Sequence, residues 1–173
     1  MQMNTWPEGK YCDRLIRVSG AVVECGWRSN IVVDRCRRLL AAFMKGDSAA
    51  LGIQSLAIGR GDAAWDSTPV APTPGIEQLV DTAPVTIPIA AAAMSYLDAA
   101  GAVTTGPTQR LQIIVTLAPG TPPPPASETS YPLREFALLG HFGGERYMID
   151  YVRHPVIHKA PGDTLVRTIR LVF

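Results

Sequence analysis

Charge is scarce in this sequence. Only 18% of the residues are Asp, Glu, Lys or Arg, and the sixteen basic against fifteen acidic side chains leave a net +1. A balance so close to zero gives no electrostatic footprint for nucleic acid or for an anionic membrane. Cysteine is scarce too: Cys12, Cys25 and Cys36 are odd in number and widely spaced, which signals no zinc knuckle, and reduced thiols are expected. Aromatic residues amount to 7%, and Trp6, Tyr11, Trp27, Trp65, Tyr96 and Tyr131 are scattered. Without aromatics interleaved with basic residues, single-strand nucleic-acid stacking is not supported. Long apolar runs are missing as well. The best candidate, 85–97, is broken by Pro88 and is too short to span a bilayer. Trp6, Pro7 and Glu8 stand where a signal peptide would need an apolar core. The expectation is a chain made in the host cytoplasm without a signal peptide, soluble until it is assembled.

Catalytic motifs are also missing. No G-x-S-x-G elbow or H-E-x-x-H helix occurs, and His141, His154 and His158 all fall in the last quarter of the chain. Asp150, Tyr151, His154 and His158 are close enough in sequence to form a polar cluster, but no nucleophile motif accompanies them. A small hydrolase using His154 or His158 is the weakest reading. Gly59-Arg60-Gly61-Asp62-Ala63-Ala64 fits G-x-G-x-x-A, yet Trp65 and Pro69 follow where a dinucleotide site needs a helix to begin. A turn between strands explains those glycines better. Arg60-Gly61-Asp62 is also an adhesion-type tripeptide, but it stands without supporting context.

What the sequence does contain is apolar and punctuated. Apolar residues make up 47% of 173, enough for one domain with a real core, and 15 Gly and 15 Pro divide it into short pieces. One helix is predicted over 31–45, with Val33, Cys36, Leu39, Leu40, Phe43 and Met44 forming its apolar stripe. Asn30 would be its N-cap and Gly46 its C′ glycine; Arg35, Arg37 and Arg38 fall largely on the solvated face. Strands are predicted over 53–58, 76–80, 85–92, 109–117, 134–139, 146–156 and 164–173. In the last, Leu165, Ile169, Leu171 and Phe173 face one way, while Thr164, Thr168 and Arg170 face the other. The fold class is therefore mainly β with one amphipathic helix (α+β): an antiparallel sandwich or barrel-like single domain. Two proline-rich segments, 65–75 and 119–132, would be extended arms.

The order of segments resembles the N-terminal, particle-attaching region of phage tail-collar fibre proteins. The residues that carry it are the helix Asp34-Arg35-Cys36-Arg37-Arg38-Leu39-Leu40 and the strand with its glycine turn, Ile58-Gly59-Arg60-Gly61. Leu133-Arg134-Glu135-Phe136 and Pro155-Val156-Ile157-His158-Lys159 follow before the closing strand. The resemblance covers 31–173 and leaves 1–30 as an N-terminal extension. It implies a structural component of a phage tail or contractile injection particle, not an enzyme, with no catalytic residue, metal or cofactor. Because the chain stops at Phe173, where fibre proteins continue into a shaft, an adaptor at the baseplate or tail-fibre attachment is expected. Its partners would be baseplate, tail tube or fibre subunits and copies of itself, with no nucleic acid and no membrane. Arg134, Glu135, Trp65 and the run Pro122, Pro123, Pro124 and Pro125 are the candidate interface residues, with Arg134 and Glu135 expected as an ion pair. A carbohydrate- or receptor-binding module of the same particle is the alternative, with Trp65, Tyr96 and the Gly143-Gly144 loop as its candidate residues.

Overall fold

The computed structural model describes residues 7–68 and 70–173; Trp6 and Pro69 lie outside them. In chain order the strands are β1 (Glu8–Ile16), β2 (Val22–Glu24), β3 (Arg28–Val32), β4 (Ala50–Gly59), β5 (Val85–Pro88), β6 (Met94–Leu97) and β7 (Val103–Thr104). They continue with β8 (Arg110–Leu117), β9 (Tyr131–Phe142), β10 (Glu145–Met148), β11 (Asp150–Lys159) and β12 (Thr164–Val172). The single α-helix among the described residues, α1, is Asp34–Lys45. The protein is mainly β, and every strand pairing is antiparallel.

The strands form one sheet in the order β5-β4-β9-β11-β3-β1-β12-β8-β6-β7, with β10 added to β9 and β2 to β1. Leu56 in β4 and Ile113 in β8 belong to a single buried cluster, although β9, β11, β3, β1 and β12 lie between their strands. A flat sheet cannot bring them together, so this one curls around its core. Val33 and Ala137 with Leu139, Met148 and Tyr151 make a smaller second cluster. A sheet buried over so much of its area explains why β9 reads as a nearly continuous apolar run rather than an alternation.

Several expectations require correction. The extension predicted over 1–30 does not exist as such from Glu8 on: β1 pairs with β12 along its whole length, Glu8 to Ile16, and also with β3. The helix starts three residues late. Ile31 and Val32 stay in β3, Val33 is the N-cap without a side-chain bond, and Asn30 instead donates to the Asp150 carboxylate. Local pattern favoured helix there, but pairing of β3 with β1 and β11 prevails. The other end is as expected: Gly46 adopts φ 78 and closes the helix with bonds to Ala42 and Phe43 carbonyls. The apolar stripe is narrower than predicted, because Cys36, Leu39 and Ala42 are buried whereas Phe43 and Met44 are exposed. No strand forms over 76–80, and 146–156 is two strands, interrupted at Ile149, that both pair with β9. The hairpin joining β9 to β10 uses Gly143 and Gly144 at φ 60 and 85, a pair of left-handed positions that glycine fills without strain.

Neither proline-rich segment is a free arm. Trp65 lies in a short 3-10 turn, 63–66, and is buried. The second segment is fastened at its start, where Gly120 N–H donates to Pro161 O at 2.6 Å and Pro122 is buried. Pro123 is exposed, and Pro124 and Pro125 are half-buried.

Candidate functional site

Three of the residues expected at an interface, Arg134, Glu135 and Trp65, are drawn into one network within the chain, and Pro122–Pro125 stand apart from it. Gly59 of β4 stands opposite Glu135 of β9 so closely that a Cβ on Gly59 would lie 2.6 Å from Glu135 Oε1. Glu135 is fully buried and does not pair with Arg134. It accepts from the backbone N–H of Val80 (3.0 Å) and Asp81 (2.7 Å) and from the Tyr151 hydroxyl. Arg134 turns instead to Asp66, with Nε and Nη2 at 3.0 and 2.8 Å from its two oxygens, and donates to Arg60 O. This fork-on-fork geometry fixes direction as well as charge. The Arg134 hydrogen bond helps hold the Asp66 carboxyl below its usual range.

The Arg60-Gly61-Asp62 tripeptide is consumed in the same way. Arg60 pairs with Asp81 at 3.3 Å. Gly61 (φ +56) approaches the Trp65 ring so nearly that a Cβ would meet it at 2.4 Å. Asp62 accepts from Ala64 N–H and so caps the turn that carries Trp65. The Arg153 guanidinium stacks 4.6 Å from the Trp65 ring centre and bonds the Tyr151 hydroxyl. Trp65, 6% exposed, is thus a wedge that fastens the 60–81 segment to β9 and β11, and it offers no ring to a ligand.

The candidate catalytic residues do not converge. Asp150 is wholly buried, accepting from Leu138 N–H at 2.7 Å and from Asn30; burial pushes its carboxyl up to about 7 against those hydrogen bonds. Tyr151 is engaged by Glu135, and burial raises its hydroxyl further. His158 faces the Ser130 hydroxyl at 3.2 Å. His154 is buried beside Arg167, its Nδ1 2.8 Å from Pro155 O and its Nε2 3.2 Å from Arg167 Nη2. Burial, reinforced by the Arg167 charge, lowers its pKa to about 4. Because a guanidinium only donates, Nε2 accepts and Nδ1 carries the proton: His154 is neutral.

Arg167 is the residue that sequence reading missed. It occupies a core position of β12 between Leu165 and Ile169, bonds Asp13 in β1 through two contacts of 2.7 Å, and lies 3.8 Å from the centre of the Phe136 ring. The only signal was that Arg167 shares the period-two face of Leu165, Ile169 and Leu171.

The surface that remains available is of another kind. Val18 (76% exposed), Val22 and Val23 stand on the β1–β2 hairpin, Phe43, Met44 (89%) and Leu51 flank the turn between α1 and β4, and Tyr96 and Val103 lie on the β6–β7 edge. No helix among the described residues is long and apolar enough to cross a membrane. The class defined by this geometry is an antiparallel β domain with one helix and a buried polar network. Compared with protein-family models, with curated proteins and with solved structures, the chain matches none.

Proposed function

We propose that this chain is a non-enzymatic structural component of a phage tail or contractile injection particle, an adaptor at the baseplate or tail-fibre attachment that holds neighbouring subunits. One observation carries the reading. Two of the segments that carry the tail-collar resemblance meet on adjacent strands: Gly59 is the register partner of Glu135 and packs against it, and Arg134 donates to Arg60 O. Segments that meet in this way act as one structural unit, which is what an attachment module would need.

The distribution of polarity supports the same reading. His154, Asp150, Glu135 and Tyr151 are each committed to internal partners, so none is presented to a substrate. The exposed valines of the β1–β2 hairpin, and Phe43 and Met44 at the end of α1, are apolar surface that a neighbouring subunit would cover. The test is electron microscopy of particles purified with and without this gene. Particles lacking baseplate or fibre density are expected from the deletion; intact, normally fibred particles would overturn the proposal.

A further inference from the structure

On the outer face of the sheet, Lys10 of β1 is the direct cross-strand partner of Arg170 of β12, and Arg170 is in turn opposite Gln112 of β8. Arg110 lies diagonally beyond, opposite Val172. Like charges facing each other across strands are destabilising. Among the described residues none of the three has a carboxylate within ion-pair distance; Glu8 shares the face and is paired with none of them. By contrast Arg14, farther along the same face, is matched by Glu24.

The two arginines are nevertheless held in place. Arg170 Nε donates to Gln112 Oε1 at 2.9 Å, and Arg110 Nη1 donates to Ala99 O at 2.9 Å. Neutral acceptors orient both guanidiniums without cancelling their charge. The 98–102 turn abuts them, because a Cβ on Gly101 would stand 3.5 Å from Arg170 Nη1. Between turn and strands is a concavity of about 200 Å³ into which Lys10, Arg110 and Arg170 converge. The Trp27 ring borders this cluster, 5.2 Å from Lys10 Nζ and 4.6 Å from the Arg170 guanidinium carbon, and is 44% exposed.

We propose that this concavity docks a carboxylate-bearing, acidic peptide segment of a partner protein. Guanidinium forks match carboxylate geometry, and a site built of oriented but unneutralised arginines gains most from an incoming anion. Apart from the three cations the walls are Leu, Ala, Gly and Val residues, with no amide or hydroxyl side chain to grip sugar hydroxyls. Three cations on a chain of net +1 make no track for the repeating phosphates of a nucleic acid. Apolar walls and the half-open Trp27 suit a peptide in which an acidic residue neighbours an apolar one. That the partner is a fellow particle subunit rests on the function proposed above; the peptide chemistry does not.

Fluorescence anisotropy of a fluorescein-labelled hexaglutamate peptide against the purified full chain tests this. The expected result is saturable binding that weakens with salt, in which Lys10→Gln, Arg110→Gln and Arg170→Gln each raise Kd at least fivefold. Arg37→Gln, on α1, is expected to leave Kd unchanged, and circular dichroism should show all four variants folded. The Trp27 indole N–H resonance is expected to move during the titration. Absence of saturable binding, or an equal loss with Arg37→Gln, overturns the proposal. So does tighter binding of a heparin oligosaccharide or an oligothymidylate of equal charge. Because the assay needs no particle, its failure would leave the microscopy result untouched, and the reverse holds as well.

Discussion

Arg167 and Asp13 are register partners in the middle of the β1–β12 pair, and both guanidinium–carboxylate contacts measure 2.7 Å with neither side chain reaching solvent. Around them stand the rings of Tyr11, Phe136 and His154. Arg167 Nη1 is buried without a partner, so the arrangement carries a desolvation cost alongside its two strong bonds. Burial pushes the Asp13 carboxyl upward, and the Arg167 charge and hydrogen bonds more than reverse this, leaving it below the usual carboxylate range.

Removing one partner should therefore be far worse than removing both. Asp13→Ala leaves a buried guanidinium unpaired and is expected to cost about 3–5 kcal/mol in urea unfolding. The double replacement Asp13→Leu with Arg167→Met should recover most of that loss. A double variant as unstable as Asp13→Ala would show that the pair itself, rather than its uncompensated half, holds the core.

Asp150 gives the opposite pH behaviour to an ordinary salt-bridged acid. Burial raises its carboxyl to about 7, so the folded state binds this proton more tightly than the unfolded chain does. Its contribution is fully present below the ordinary carboxylate range and is lost as pH rises through about 7. Asp150→Asn mimics the protonated form, and its amide can donate to Asn30 Oδ1, which is otherwise buried without a partner. The stability of the wild type relative to this variant is expected to fall by on the order of 2–4 kcal/mol between pH 5 and pH 8. Parallel curves would contradict the shift.

His154 should stay neutral well below the usual histidine range. Its folded pKa is lowered to about 4, so the stability it contributes is present above the unfolded value and is lost as pH falls towards 4. Long-range ¹H–¹⁵N spectra are expected to show a proton on Nδ1 and no titration of this ring between pH 8 and pH 5.5. A midpoint near 6.5 would mean the ring is solvated and the Arg167 contact absent.

Gly59 is the tightest test of the β4–β9 join. A Cβ there would meet Glu135 Oε1 at 2.6 Å and Asp81 Cβ at 2.9 Å, and Gly59 itself lies mid-network. Gly59→Ala is expected to cost about 1–3 kcal/mol by overpacking, read as a lowered urea midpoint at unchanged m-value. Gly75→Ala, where no atom lies within 4 Å of the added Cβ, is the matched control and should be near neutral.

Strand identity was legible because period-two patterns such as Leu165, Ile169 and Leu171 and the β-branched run in 109–117 report burial locally. The α1 terminus at Gly46 was legible for the same reason: a left-handed C-cap is a property of one residue. By itself, then, the sequence determined a mainly β chain with one helix, little charge and no recognised catalytic motif. Only the tertiary structure decided which neighbour each polar residue meets. The helix start at Asp34 followed from β3 pairing with β1 and β11, and Trp65 became a wedge because Arg153, far along the chain, stacks on it. Arg134 and Glu135, adjacent in sequence, took separate partners from the 60–81 segment, and Lys10, Arg110 and Arg170 became one cationic cluster through register alone. The physical reason is common to all four. Hydrophobic patterning fixes which face of an element is buried, whereas the partners of charged groups are set by long-range strand register, which no local window contains.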